Sequence, residues 1–340
     1  MSIEDLESIA LAMVAPGKGI IAIDESTNTI AKRFESVGIE NTEENRRAYR
    51  ELLLTTPGLS EHISGAILYD ETIRQSTKDG VPFTQIMKKA GIIPGIKVDK
   101  GPQPLAGFPG DVVTEGLDGL RERLQEYAKL GAQFAKWRAV INISEDNPSS
   151  TAIEANCHVL ARYAALCQEQ NIVPIVEPEV LMDGAHTIER CEEVTDAALA
   201  EVFSQLFRAR VHLEGMILKP NMVISGKKCP TQATPEQVAA ATIRCLKRHV
   251  PGAVPGIAFL SGGQSPAEAA LHLSLMNRDT TLPWQLSFSY GRALQDAALN
   301  AWAGKSANVA AGQKEFRKWA RLNGLARNGT FQAGMEQQAA

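Results

Sequence analysis

The stretch Met216-Ile-Leu-Lys-Pro-Asn-Met-Val223 sets one lysine, Lys219, at the end of an otherwise apolar run. A solvated lysine has a pKa near ~10.4, but burial or a neighbouring cation brings it to roughly 7–8, where the amine attacks a ketone. Taken alone, a lysine so placed more often snorkels its head back to water. The company it keeps points to chemistry instead. Asp24, Lys97, Lys136 with Arg138, Glu177 with Glu179, and Arg292 each stand at, in or just past another β-branched run.

These residue types suit one another. Lys136 disfavours a second positive charge and so helps to activate Lys219 as a nucleophile. Schiff-base formation needs a proton for the departing carbinolamine oxygen, and Glu177, as a carboxyl group with a raised pKa, suits that task. Asp24 would take a proton from a substrate hydroxyl, which breaks a carbon–carbon bond when an iminium accepts the electrons. Glu179 has an equally good structural reading, as the salt-bridge partner that holds Lys136 or Arg138 in place.

Anion sites are legible in two places. Ser261-Gly-Gly-Gln-Ser265 leaves a strand and enters a helix near Pro266, so backbone N–H groups and the helix dipole would face an anion. Ser289-Tyr-Gly-Arg292 does the same, with Gly262 and Gly291 giving close backbone approach and Arg292 a charged fork. A second site is expected at Ser26, Thr29, Lys32 and Arg33 with Lys97, although Ser26 and Thr29 would equally serve as helix caps. Two such sites imply a bisphosphorylated substrate.

The elements that must position these groups follow from periodicity. Eight runs read as strands: Gly19–Asp24, Gly65–Tyr69, Ile92–Val98, Phe134–Ile143, Ile172–Val180, Met216–Val223, Gly256–Leu260 and Trp284–Tyr290. Helical spacing lies between them, as at Leu117, Leu120, Leu124 and Tyr127. Ser2 with Asp5 would cap a leading helix that stops at Pro16-Gly17. Strict alternation implies a parallel sheet, and eight units imply an α/β (β/α)8 TIM barrel with an extra N-terminal helix and extra C-terminal helices. A doubly wound open sheet is the alternative, but no GxGxxG follows the first strand. In a barrel the charged residues fall on the rim where the βα loops gather. Residues i and i+2 share a face, so Lys136 with Arg138, and Glu177 with Glu179, point inward together.

Composition bounds the rest. The 340 residues are 44% hydrophobic and 22% charged, which supports a sizeable core in a single domain spanning 1–340, with 329–340 a disordered polar tail. A net charge of −4 discourages a nucleic-acid partner. Met1–Met13 lacks a signal-peptide pattern and no run is long enough for a bilayer, so a cytoplasmic location without membrane partners is expected. Cys157, Cys167, Cys191, Cys229 and Cys245 lack CxxC spacing and read as reduced thiols. His62, His158, His186, His212, His249 and His272 lie away from strand ends, so no metal is expected.

Six stretches together resemble class I fructose-bisphosphate aldolase: Ile21-Ala-Ile-Asp-Glu-Ser-Thr27, Phe134-Ala-Lys-Trp-Arg138, Val173-Pro-Ile-Val-Glu-Pro-Glu179, Leu218-Lys-Pro-Asn-Met-Val223, Phe259-Leu-Ser-Gly-Gly-Gln-Ser265 and Phe288-Ser-Tyr-Gly-Arg-Ala-Leu-Gln295. The likeness runs from about Val14 to Ala326. It implies a metal-independent, cofactor-free barrel, commonly tetrameric, that cleaves fructose 1,6-bisphosphate into dihydroxyacetone phosphate and glyceraldehyde 3-phosphate in glycolysis and gluconeogenesis. By resemblance Lys219 is the Schiff-base lysine, Glu177 its acid/base, Lys136 its electrostatic partner and Asp24 the cleavage base. Ser261, Gly262, Gly291 and Arg292 resemble one phosphate site, and Ser26, Thr29, Lys97 and Arg33 the other. The family pattern Gly-Ser is replaced here by Asn28-Thr29. Animal members end in a tyrosine that assists proton exchange, whereas this sequence ends Met335-Glu-Gln-Gln-Ala-Ala340, so that step is expected to fall to another group or to water, or else to be slower. A transaldolase-like or keto-acid Schiff-base barrel would need only one phosphate site, and a phosphosugar-binding scaffold would not need the Asp24, Lys136, Glu177 and Lys219 set.

Overall fold

A computed structural model describes residues 3–338. Eight strands run parallel in chain order: β1 (Gly19–Ile23), β2 (Ile63–Leu68), β3 (Ile93–Lys97), β4 (Phe134–Ile141), β5 (Val173–Val180), β6 (Ile217–Leu218), β7 (Gly256–Phe259) and β8 (Gln285–Tyr290). Each pairs with its sequence neighbours, and β1 closes the ring by pairing with both β2 (Ile20↔Gly65) and β8 (Ile21↔Tyr290). The (β/α)8 barrel expected from the alternation is the fold. Helices cover its outside, which is why these strands read as β-branched runs buried on both faces rather than as alternating ones.

Two-residue periodicity sorts each strand into an inner and an outer row. Ile20, Ala22, Ile67, Phe134, Val173, Ile175, Ile217 and Ala258 pack into one cluster. Leu6, Ala10 and Met13 from the leading helix α1 (Ile3–Met13), with Val14 after it, join that cluster. Ser64 donates to the Met13 carbonyl at the start of β2, and a Cβ at Gly256, the first residue of β7, would strike Val14. The leading helix therefore plugs the N-terminal end of the barrel and leaves the C-terminal end open. Phe134 fills the interior beside it. Gly95 lacks a side chain because a Cβ there would overlap the Phe134 ring. Burying a phenylalanine fully contributes about 1.5–3 kcal/mol, and even a one-carbon intrusion would forfeit part of it.

Three features differ from the pattern read in the sequence. β6 is only two residues long, where eight were expected, because Pro220 has no N–H to give to a ladder. Lys219 still donates its N–H to Val176 O at 2.8 Å, so it stands one residue past the strand yet remains fastened to β5. A small antiparallel hairpin, Pro102–Pro104 with Val112–Thr114, sits between β3 and β4 and was not anticipated. The expected Ser2 cap lies outside the described residues, as do residues 339 and 340 of the tail. Within 329–338, Phe331 is fully buried, its carbonyl accepts the Ser274 hydroxyl at 2.9 Å, and a short helix spans Met335–Gln338. Among the described residues no helix is long and apolar enough to cross a membrane. All five cysteines are buried and free.

Candidate active site

The inner rows that carry Ile20, Phe134, Ile175 and Ile217 near the plugged end carry charge at the open end, two or four residues later. Asp24, Lys136, Arg138, Glu177, Glu179 and Lys219 all line one cavity of about 230 Å³, together with Lys97 from β3. Trp137, of opposite parity, turns outward onto Tyr163.

Four of these side chains form a chain across the barrel. Asp24 Oδ2 lies 2.7 Å from Lys136 Nζ, Lys136 Nζ lies 3.3 Å from Glu177 Oε2, and Glu177 Oε1 lies 3.2 Å from Lys219 Nζ. Lys136, Glu177 and Lys219 are each under 5% exposed. Charges this deep are retained only when paired. The Oε2 contact to Lys136 is electrostatic without hydrogen-bond alignment, so that oxygen keeps an unspent acceptor.

The protonation states follow from the sequence of charges. Burial pushes Glu177 up, but Lys136, Lys219 and Arg138 outweigh it and hold the carboxyl below its ordinary value. The expectation of a raised pKa at Glu177 is thereby corrected: it is a carboxylate flanked by two amines. Burial acts the same way on Asp24, and Lys136, Lys219 and Lys97 reverse it, leaving Asp24 far below the usual carboxylate range. For Lys136, burial favours the neutral amine, while Asp24 and Glu177 overcome it and hold the ammonium firmly. Arg138 pairs with Glu179 through its Nε, so the structural reading of Glu179 describes its contact here.

Two cationic regions flank this chain. After β7, Ser261 is followed by Gly262 at φ +51° and Gly263 at φ +70°, consecutive left-handed residues whose N–H groups can converge on an anion. The following helix, Pro266–Met276, does not add its first turn to that site. Ser265 and Glu268 form a capping box that already occupies those N–H groups. The helix after β8, Arg292–Trp302, is different, since its N-cap Gly291 offers no side chain and its N-terminus stays open beside Arg292. Ser289 lines the cavity with a buried hydroxyl lacking a partner.

On the opposite side, Ser26 precedes the helix Thr27–Glu35 but makes no side-chain cap bond; its hydroxyl meets that of Thr29 at 3.0 Å. The capping alternative for this pair does not describe the arrangement, and both hydroxyls line the cavity. Arg33 is held by Glu25 at 2.5 Å, which also binds the buried Arg50 at 2.7 Å. Lys97 contacts Asp99 at 3.4 Å. Lys32 does not reach this cavity and lines a neighbouring surface groove.

Sequence reading missed Glu25 and Asp99. Glu25 follows Asp24 past the end of β1 and lines the same cavity, where it fixes Arg33. Asp99 continues the inward parity of Gly95 and Lys97 past the end of β3, and that parity was the signal available for it. None of the six histidines lines the cavity, and among the described residues no group of three His, Cys, Asp or Glu side chains is placed to hold a metal ion.

A closed parallel barrel whose open end holds a buried amine–carboxylate chain between two cationic regions is the architecture of a lyase acting on small anionic molecules. The comparisons agree. The sequence model of the family described as fructose-bisphosphate aldolase class-I matches residues 5–340. A probable fructose-bisphosphate aldolase class 1 of Xanthomonas axonopodis pv. citri is 66% identical over 332 residues, covering 97% of this chain and 99% of that one. Human fructose-bisphosphate aldolase C is 52% identical over 335 residues, covering 98% and 92%. The solved structure of the Plasmodium falciparum aldolase, determined in complex with TRAP and a small-molecule inhibitor, superposes with a TM-score of 0.96 at 48% identity, covering 97% and 96% of the two chains. The chain belongs to the class I fructose-bisphosphate aldolase family and is a carbon–carbon lyase.

Proposed function

We propose that this chain cleaves fructose 1,6-bisphosphate reversibly with Lys219 as the Schiff-base lysine, and that Asp24, Lys136 and Glu177 move the protons. The observation that carries this reading is the continuous chain Asp24–Lys136–Glu177–Lys219. Glu177 accepts a proton from the Lys219 ammonium, and the freed amine attacks the C2 ketone. The carboxyl, now protonated, returns its proton to the carbinolamine oxygen, which leaves as water and gives the iminium. Asp24 then takes the C4 hydroxyl proton. The C3–C4 bond breaks, its electrons neutralise the iminium as an enamine, and glyceraldehyde 3-phosphate departs. Protonation of the enamine and hydrolysis by water release dihydroxyacetone phosphate and restore Lys219.

Lys136 stays charged throughout and orients both carboxylates. Glu179 acts through Arg138, which it positions at the mouth. Ser261, Gly262, Ser289, Gly291 and Arg292 take one phosphate, and Ser26, Thr29, Arg33 and Lys97 the other. The match to two phosphates favours the bisphosphate over the one-phosphate substrates of other Schiff-base barrels. The chain works in the cytoplasm, in glycolysis and gluconeogenesis, as a homotetramer in keeping with its family. Borohydride reduction with dihydroxyacetone phosphate in the presence of EDTA, followed by peptide mass spectrometry, tests the reading. A stable adduct on Lys219 is expected; an adduct on another lysine, or none, overturns it.

A further inference from the structure

One cation near the β7 loop has no role in the scheme above. Lys227 lies in the loop after β6, and that loop is fixed against the loop after β5 by three backbone hydrogen bonds: Gly226 N–H to His186 O at 2.9 Å, Lys227 N–H to Met182 O at 2.8 Å and Lys228 N–H to Gly184 O at 3.0 Å. Gly226 is pressed so closely onto the Gly184 carbonyl that a Cβ would overlap it. The side chain of Lys227 therefore starts from a rigid base. It crosses to Gly263, where the position a Cβ would take lies 2.5 Å from Lys227 Nζ and 3.4 Å from an Arg292 guanidinium nitrogen. Two cations thus converge on one point at the edge of the Gly262–Gly263 nest.

Their charge is poorly neutralised. Arg292 makes no ion pair within 4 Å among the described residues and feels only a longer-range attraction to Asp296, and Lys227 has only a long 3.7 Å contact to Asp183, with the two side chains 45% and 67% exposed. Like charges brought together with only distant or exposed counter-charges repel, and a bound dianion would relieve that repulsion. We propose that Lys227 is a third cationic arm of the phosphate site built from Ser261, Gly262 and Arg292, parked on Asp183 in the free enzyme and transferred to a phosphate oxygen when substrate binds. The proposal rests on the aldolase reading above and adds to it a binding residue from a loop that contributes nothing to the proton chain. Lys227 acts on the phosphate, equally in substrate and transition state, so its contribution belongs in KM rather than kcat.

The test compares the full-length wild type with Lys227→Met, Lys227→Arg and Asp183→Asn, using fructose 1,6-bisphosphate as substrate and inorganic phosphate as competitive inhibitor at low and high salt. Lys227→Met is expected to raise KM and the phosphate inhibition constant about 5- to 10-fold, with kcat changed less than about twofold and a shallower salt dependence. Lys227→Arg should restore most of the loss, because a guanidinium reaches the same oxygen. Asp183→Asn should lower KM or leave it unchanged, since it releases the parked amine. An unmoved KM and inhibition constant in Lys227→Met would overturn the proposal, as would an arginine variant no better than methionine, which would mean packing alone. Borohydride trapping of the wild type on Lys219 reports separately on the aldolase reading, so a trapped wild type with an unmoved Lys227→Met sinks this inference alone.

Discussion

Glu177 reaches Lys219 with one oxygen, at 3.2 Å, while its other oxygen faces Lys136 at 3.3 Å. One carboxylate thus separates two buried amines that would otherwise face each other directly. This arrangement gives the two lysines different surroundings. Lys136 also has Asp24 at 2.7 Å and is held as an ammonium, whereas among the described residues Lys219 has Glu177 alone within ion-pair distance.

Replacing Glu177 by Gln removes the proton acceptor while keeping the shape of the side chain. The amide cannot cycle a proton between Lys219 and the carbinolamine, and general acid–base steps of this kind contribute about 10²–10⁴-fold. Glu177→Gln is expected to lower kcat by that order and to slow borohydride trapping in parallel. Steady-state rates and single-turnover trapping measured side by side check this. A slow kcat with wild-type trapping would place the function of Glu177 after Schiff-base formation.

Lys136→Met should reveal what the ammonium does for its two carboxylates. Asp24 and Glu177 have folded-state pKa values below their ordinary 3.8 and 4.5, so the unfolded chain takes up their protons first as the pH falls. Their contribution is therefore present at neutral pH and lost on acidification through and below that range. Removing Lys136 leaves two buried carboxylates without their shared cation, at a cost of about 3–5 kcal/mol near pH 7. The gap to the wild type should narrow toward pH 4, where protonation relieves the orphaned carboxylates. Urea denaturation from pH 4 to 7 decides it, and a gap that stays constant across that range would contradict the pairing.

The histidine behind the β7 loop provides a second pH window. Burial lowers the pKa of His272 from 6.5 to about 4, with Glu268 opposing the shift only in part, and its Nδ1 lies 2.5 Å from Gln264 Oε1. Gln264 in turn donates to the Ser261 carbonyl at 2.9 Å. An unfolded histidine is protonated below 6.5, while the folded one stays neutral down to about 4. Stability should therefore fall as the pH drops from 6.5 to about 4, by about 3 kcal/mol in all. His272→Gln is expected to flatten that stretch of the profile. Because it also loosens the support beneath Ser261, it should raise the inhibition constant of inorganic phosphate. A profile with the same slope in both proteins would mean another group titrates there.

The barrel and its row of inward charges were legible because both obey a period of two. Once Phe134, Ile175 and Ile217 are assigned to the interior, Lys136, Glu177 and Lys219 must follow them to the open end, and no tertiary information is needed. What stayed hidden depends on contacts between distant segments. The pKa of Glu177 is lowered against its burial by Lys136, Lys219 and Arg138, none of them on its own strand, whereas the raised value expected from sequence came only from the proton that Schiff-base formation requires. The capping box at Ser265 and Glu268 went unread, and its consequence, that the N–H groups of Ser265 and Glu268 are already taken, is seen only in the hydrogen bonds themselves. Lys227 reads as an ordinary loop lysine until the loops after β5 and β6 are seen clasped together. The same holds for Phe331, which lies in a polar, glycine-containing stretch whose composition signals no fixed structure.

That residue separates two truncations that look equivalent in sequence. Phe331 is fully buried in the main hydrophobic cluster, and Ser274 of the helix Pro266–Met276 donates to its carbonyl inside the core. Phe331→Ala empties that space and leaves the fold to close over it, which costs about 3–5 kcal/mol for a large aromatic in a packed site. Ending the chain after Asn328 removes the ring and the Ser274 acceptor together and should destabilise at least as much. Ending it after Gln332 keeps both and removes only the segment that includes Met335–Gln338. The shorter form is expected to melt several degrees lower with a normal kcat per folded molecule, and the longer one to match the full chain in both respects. Thermal melts and active-site titration by borohydride trapping separate the two effects. A loss of kcat in the form ending at Gln332, with its melting temperature unchanged, would instead show that residues 333–340 take part in turnover.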